Sequence, residues 1–179
     1  PLRGYRGPKG RFVFKKSEAV LLKHVDMACG QCIGCRLEHS RQWATRCMHE
    51  AQLWDENSFI TLTYRPENLP LHGTLVPHHF TDFMKRLRER LSPRTIRYFQ
   101  CGEYGERFTR PHHHAIIFNY GFPDRILYSQ QNGQRYFESR FLDDVWSFGR
   151  CIIGDVSFDS AGYVARYALK KRTGAQALD

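Results

Sequence analysis

A chain of 179 residues with 41% hydrophobic and 25% charged residues has a globular composition, which excludes a disordered or low-complexity protein. Lys and Arg number 27 against 18 Asp and Glu, a net charge of +9 that favours a polyanionic partner, with nucleic acid first. No apolar run approaches the ~20 residues of a membrane span, and no signal peptide or lipidation motif is visible, so no membrane partner is expected.

The chain begins at Pro1 without Met and stops after a basic tail. It reads as a single domain, residues 1–179, belonging to a longer protein. Residues 1–28 are rich in Gly, Pro, Lys and Arg and read as a basic N-terminal arm that touches DNA phosphates. Residues 29–53 read as a Cys-rich segment followed by a helix. Three of the six cysteines crowd into CGQCIGC, as Cys29, Cys32 and Cys35. Without secretory context, that spacing suits reduced thiols or a metal knuckle in a reducing compartment. His39, one turn beyond Cys35, would complete a closed structural zinc site of three thiolates and an imidazole. Three unliganded loop thiols are the alternative.

The helix is expected from about Arg36 to Leu53, because Leu37, Ser40, Ala44, Cys47 and Ala51 share one face. SFITLTY, residues 58–64, alternates and is rich in β-branched and aromatic residues, as a strand is. Pro77 then suits the first turn of a helix running to about Leu91, with Phe80, Phe83, Met84 and Leu87 as its apolar stripe. TIRYFQCGE (95–103) and HHHAIIF (112–118) read as strands joined by a short polar turn, which makes them an antiparallel hairpin. A loop with some strand follows, then a short helix around Ser139–Ser147 and a strand over 151–158. The last helix has Asp159 or Ser160 as its expected N-cap. This order predicts an α+β plan, an antiparallel sheet of about five strands with helices mainly on one face.

Two constellations carry chemistry. Successive strand residues point to opposite faces, so His112 and His114 share a face and His113 points away. Glu103 ends the preceding strand, where the hairpin brings it beside His112; Glu106 in the turn is the alternative. Two imidazoles and a carboxylate suit a divalent ion such as Mg or Mn with positions left open. The bland reading is a solvated strand end. Further on, Tyr163 and Tyr167 are four apart in GYVARYALKK and project from one helical face, with Lys170 on the same stripe. A phenol is a weak nucleophile unless a base or cation helps it lose its proton. A core stripe with a basic solvent side is the plain alternative.

Together these residues resemble a family. RPHHHAIIF resembles the His-hydrophobe-His motif of HUH endonucleases, with His113 in the normally hydrophobic middle position. FITLTY resembles the first motif of rolling-circle replication initiators, and YVARYALKK their two-tyrosine third motif. PLRGYR, CGQCIGCR, RQWATRCMHEA and CGEYGERFTRPHHHAIIFNY extend the resemblance to the replication initiators of gokushovirus-type microviruses. The resemblance implies an RRM-like or ferredoxin-like antiparallel sheet with the histidines on a central strand and the tyrosine helix packed above them. It implies a Mg or Mn ion on His112, His114 and Glu103, with Tyr163 and Tyr167 as alternating nucleophiles assisted by Lys170. The implied reaction is nicking and joining of single-stranded origin DNA through a 5′-phosphotyrosyl linkage, leaving a 3′-OH for host polymerase. Host helicase and polymerase are implied partners, and the bacterial host cytoplasm is the implied location.

Arg65, Arg107, Arg110 and Lys171 lie beside these motifs and are the candidate DNA contacts, together with exposed aromatics on which bases stack. Two rival functions remain at this level. One is a non-catalytic RRM-type module that binds single strands. The other is a metal phosphodiesterase using water, which leaves no covalent adduct.

Overall fold

The computed structural model describes residues 2–105 and 110–168. The fold is α+β, with a three-stranded and a six-stranded sheet. The chain forms two compact units, divided between Arg41 and Gln42, a boundary that falls inside helix α1 (Ile33–Ala51).

In the first unit, β1 (Leu2–Arg6), β2 (Phe12–Val13) and β3 (Leu21–Met27) pair in the order β2-β1-β3, both contacts antiparallel. The segment expected as an arm thus carries a sheet. Its strands are short and interrupted by Gly and Pro, so they show little of the alternation that announces a strand. Gly4 is needed for close approach, because a Cβ there would stand 2.5 Å from the Val13 carbonyl oxygen.

The second unit is built on the sheet β5-β6-β4-β9-β8-β7, antiparallel at every contact. Its strands are β4 (Asn57–Thr63), β5 (Arg97–Tyr104), β6 (Pro111–Phe118), β7 (Ile126–Gln131), β8 (Gln134–Glu138) and β9 (Cys151–Gly154). Six strands replace the expected five or so because β7 and β8 form a full hairpin. Their turn, Asn132-Gly133, has positive φ at both residues (50° and 78°), the pattern that matches the twist of paired strands.

The helices α2 (Pro77–Leu91), α3 (Arg140–Trp146) and α4 (Phe158–Ala168) complete the unit with the second half of α1. They cover both faces of the sheet, which corrects the expectation of one. On one face Phe83 and Leu87 of α2 and Val145 and Trp146 of α3 bury Ile60, Leu62, Ala115 and Ile117. On the other, Ala44 and Cys47 of α1 and Ala161 and Val164 of α4 bury Ile116 and Phe118. A central strand buried on both sides needs the continuous apolar run Ala115–Phe118.

Two boundaries also move. Strand β9 stops at Gly154, four residues earlier than expected. The start of α4 is capped by Ser157, not by Asp159 or Ser160: Ser160 N donates to Ser157 Oγ (3.2 Å) and Ser157 N to Ser160 Oγ (2.8 Å). This reciprocal pair satisfies amides that the helix itself leaves unpaired.

Candidate active site

Register places the candidate residues. Strand β6 pairs with β5 so that Glu103 stands opposite His112 and Cys101 opposite His114, while Thr61 of β4 stands opposite His114 on the other side. His112 and His114 thus face α4, where Tyr163 lies. His113 faces α2 and α3 and is 2% exposed. It sits among Phe80, Tyr64 and Trp146.

His112 Nδ1 lies 2.7 Å from the Arg110 carbonyl oxygen. A carbonyl only accepts, so Nδ1 carries the proton and Nε2 keeps its lone pair. Burial lowers the His112 pKa, which favours that neutral ring. His114 Nδ1 pairs with Thr61 Oγ1 at 3.0 Å, and its Nε2 faces Glu103 Oε2 at 3.2 Å. The ring also stacks parallel to Phe59, with centroids 5.9 Å apart. Both imidazoles thus have Nδ1 engaged and Nε2 turned to the shared face, the arrangement of outer partners that orients metal-binding histidines.

Glu103 is 6% exposed. Burial pushes its pKa up, but hydrogen bonds from His114 and Tyr163 outweigh this and hold the carboxyl below its ordinary value. The Tyr163 hydroxyl donates to Glu103 Oε2 across 2.5 Å. Burial and that carboxylate raise the Tyr163 pKa, so the phenol is firmly protonated in this arrangement. The Tyr163 ring meets His114 edge-on at 5.1 Å and the Tyr167 ring at 4.8 Å. The two phenols therefore share one side of α4. Beside them opens a cavity of about 450 Å³ lined by Phe59, His114, Tyr136, Asp155, Ser160 and Tyr163.

The donor set fits a hard divalent ion in kind: two neutral-capable Nε2 atoms and a carboxylate, buried on adjacent strands. These three donors are not gathered as tightly as the cysteines are. Among the described residues only Cys29, Cys32 and Cys35 bring three ligand atoms within 4.8 Å of one another. That cluster is able to coordinate a metal ion. His39 is exposed and does not join it.

The remaining candidates divide. Arg110 is anchored, its Nη2 donating to the Tyr64 carbonyl at 2.6 Å, and Arg65 is exposed at the end of β4. Glu106, Arg107, Lys170 and Lys171 lie outside the described residues. Thr61 and Phe59 escape the sequence reading, although both sit in the alternating FITLTY strand on the face of its first Phe. Among the described residues no helix is long and apolar enough to cross a membrane.

Comparisons with known proteins agree with one another. The Replication-associated protein VP4 of Bdellovibrio phage phiMH2K is 42% identical over 151 residues, covering 80% of this chain and 48% of that protein. The Replication-associated protein ORF2 of Spiroplasma virus 4 is 36% identical over 152 residues, with 80% and 48% coverage. The Replication-associated protein ORF4 of Chlamydia phage 1 is 30% identical over 153 residues, covering 81% of this chain and 38% of that protein. The chain thus spans about half the length of the first two and less of the third. No solved structure matches the chain significantly. The family model for Replication-associated protein ORF2/gene 2 protein matches residues 57–172, the stretch that holds both constellations, and the chain belongs to that family.

Proposed function

We propose that the chain is the nuclease part of a rolling-circle replication initiator, a metal-dependent, site-specific endonuclease and strand transferase acting on single-stranded origin DNA in a bacterial host. The observation that carries this reading is the shared face on which His112, His114, Glu103 and Tyr163 meet. The arrangement, with histidines on a central strand beneath the tyrosine helix, also supports the HUH reading of an RRM-like sheet.

His112 Nε2, His114 Nε2 and Glu103 would hold a Mg or Mn ion. When bound, that ion supplies Lewis acidity to a non-bridging oxygen of the scissile phosphate. The protein does the rest. His112 offers Nε2 without a proton change. His114 must carry its proton on Nδ1, donating to Thr61 Oγ1, before Nε2 is free to coordinate. Tyr163 or Tyr167 attacks phosphorus through its phenolic oxygen, losing its proton, and the P–O3′ bond breaks with the 3′ oxygen taking up a proton. A 5′-phosphotyrosine and a 3′-OH result, the latter extended by host polymerase alongside a host helicase. The second phenol cleaves the regenerated origin after one circuit. The new 3′-OH then attacks the first linkage, expelling its tyrosine and closing a circle. Lys170 would stabilise developing phenolate charge, and Arg65, Arg107, Arg110 and Lys171 would contact phosphates.

The test is cleavage of circular single-stranded phage DNA with Mn or with chelator. Mn-dependent opening of the circle, abolished by His112→Ala, supports the reading; binding without cleavage would leave a single-strand-binding module.

A further inference from the structure

The Cys29–Cys35 loop lies in the first unit and takes no part in the chemistry proposed for the histidines. Its three thiols are reduced and partly exposed. Cys29 Sγ and Cys35 Sγ stand 3.8 Å apart. A disulfide needs ~2.05 Å between its sulfurs. A tetrahedral ion with Zn–S bonds of ~2.3 Å places neighbouring sulfurs about 3.8 Å apart. All three sulfurs lie within 4.8 Å of one another. Thiolates of an iron–sulfur cube bind separate irons and stand farther apart, so this spacing favours one shared ion.

The backbone supports the same reading. The Cys32 amide donates to Cys29 Sγ at 3.3 Å, a bond that stabilises thiolate charge. Gly30 takes φ +72°, where a Cβ would be strained, and this turn brings Cys32 back towards Cys29. Arg36 N donates to the Cys32 carbonyl at 3.0 Å, so Cys32 marks the helix boundary and Cys35 lies in the first turn. Negative sulfurs there face the positive end of the helix. No His, Asp or Glu among the described residues joins the cluster. Glu38, the nearest carboxylate in sequence, is engaged with Arg41 at 2.8 Å.

We propose that Cys29, Cys32 and Cys35 hold one zinc ion through three thiolates, with a fourth ligand other than His39, and that this ion ties the end of β3 to the start of α1. Soft thiolates select zinc over the hard ions suited to the histidine site, so the chain would carry two metals of different kinds.

The test is metal content of the purified 179-residue chain by plasma mass spectrometry after dialysis against a mild chelator. About one zinc per chain is expected, retained in the His112→Ala/His114→Ala and His39→Ala variants and lost in Cys29→Ser/Cys32→Ser. Because the cysteine variant is liable to misfold, cobalt loading of the unaltered chain provides a second readout. It should give the intense thiolate-to-cobalt charge-transfer band and the visible absorption of a tetrahedral ion. Zinc that disappears with the histidine pair, zinc lost with His39, a brown iron chromophore, or no thiolate–cobalt band would each overturn the proposal.

Discussion

The Tyr163 hydroxyl and Glu103 Oε2 are 2.5 Å apart, and the same oxygen lies 3.2 Å from His114 Nε2. One carboxylate oxygen thus holds a candidate nucleophile and a candidate metal ligand together. An ion arriving on the histidines has to draw Glu103 into its own coordination, at the expense of the hydrogen bonds to His114 and Tyr163.

Glu103→Gln keeps the shape and removes the charge. We expect Mn binding, followed by the loss of the free-ion electron paramagnetic resonance signal, to weaken at least ~10-fold. Unchanged Mn affinity would remove Glu103 from the ligand set.

Thr61→Val removes the group that fixes the His114 ring through Nδ1 at 3.0 Å. Outer partners of this kind are worth ~10–100-fold in metal affinity. The expected loss in Mn binding falls in that range, with little change in the thermal midpoint. A stable protein with full Mn affinity would show that Thr61 does not orient the ring.

His113 gives a pH prediction. Burial lowers its pKa from 6.5 to about 4. Its Nε2 pairs with Tyr64 Oη at 3.2 Å, that hydroxyl also lies 2.9 Å from His79 Nδ1, and His113 Nδ1 is buried without a partner. Between those two pKa values the unfolded chain binds a proton that the folded chain refuses. Stability from this residue is therefore full above about 6.5 and is lost as pH falls towards 4, on the order of 3 kcal/mol in all. In urea melts at about pH 7.5 and 4.5, on either side of the ordinary histidine pKa, His113→Leu should lose clearly less stability on acidification than the unaltered chain. It should also keep its nicking activity, because the side chain faces away from the site. Equal acid sensitivity would contradict the assignment.

Gly149 tests the packing between the α3–β9 connection and β4. A Cβ there would stand 2.1 Å from the Thr63 carbonyl oxygen and 2.7 Å from Arg65 N, both backbone atoms unable to swing aside. Gly149→Ala should cost ~1–3 kcal/mol or more in a denaturant melt. Neutrality would mean that this connection runs elsewhere.

Much of this is legible in the sequence, for reasons specific to each element. Helix α2 is readable at both ends because Pro77 opens it and Ser92-Pro93 follows the last apolar residue of its stripe. The His112/His114 face follows from strand alternation alone. The β7–β8 hairpin escapes despite Asn132-Gly133, because Ile126–Gln131 is almost wholly exposed and lacks a buried face to give it a pattern. The second helical layer escapes because a run such as Ala115–Phe118 does not say which elements cover its two sides. Thr61 and Phe59 acquire their roles only through cross-strand register and packing with His114, which residue types do not announce. The open third-ligand question, Glu103 or Glu106, is narrowed by Glu103 meeting both His114 and Tyr163, while Glu106 lies outside the described residues.

Covalent tyrosine chemistry at this face is the central claim. Labelled single-stranded oligonucleotides tiling the phage origin region, incubated with the chain and Mn or EDTA, would be resolved on a denaturing gel and any adduct digested for mass spectrometry. The predicted result is a Mn-dependent, detergent-stable adduct on the peptide containing Tyr163 and Tyr167, present in either single Tyr→Phe variant and absent from the double variant. Cleavage with no adduct, or an adduct that survives in the double variant, would contradict it.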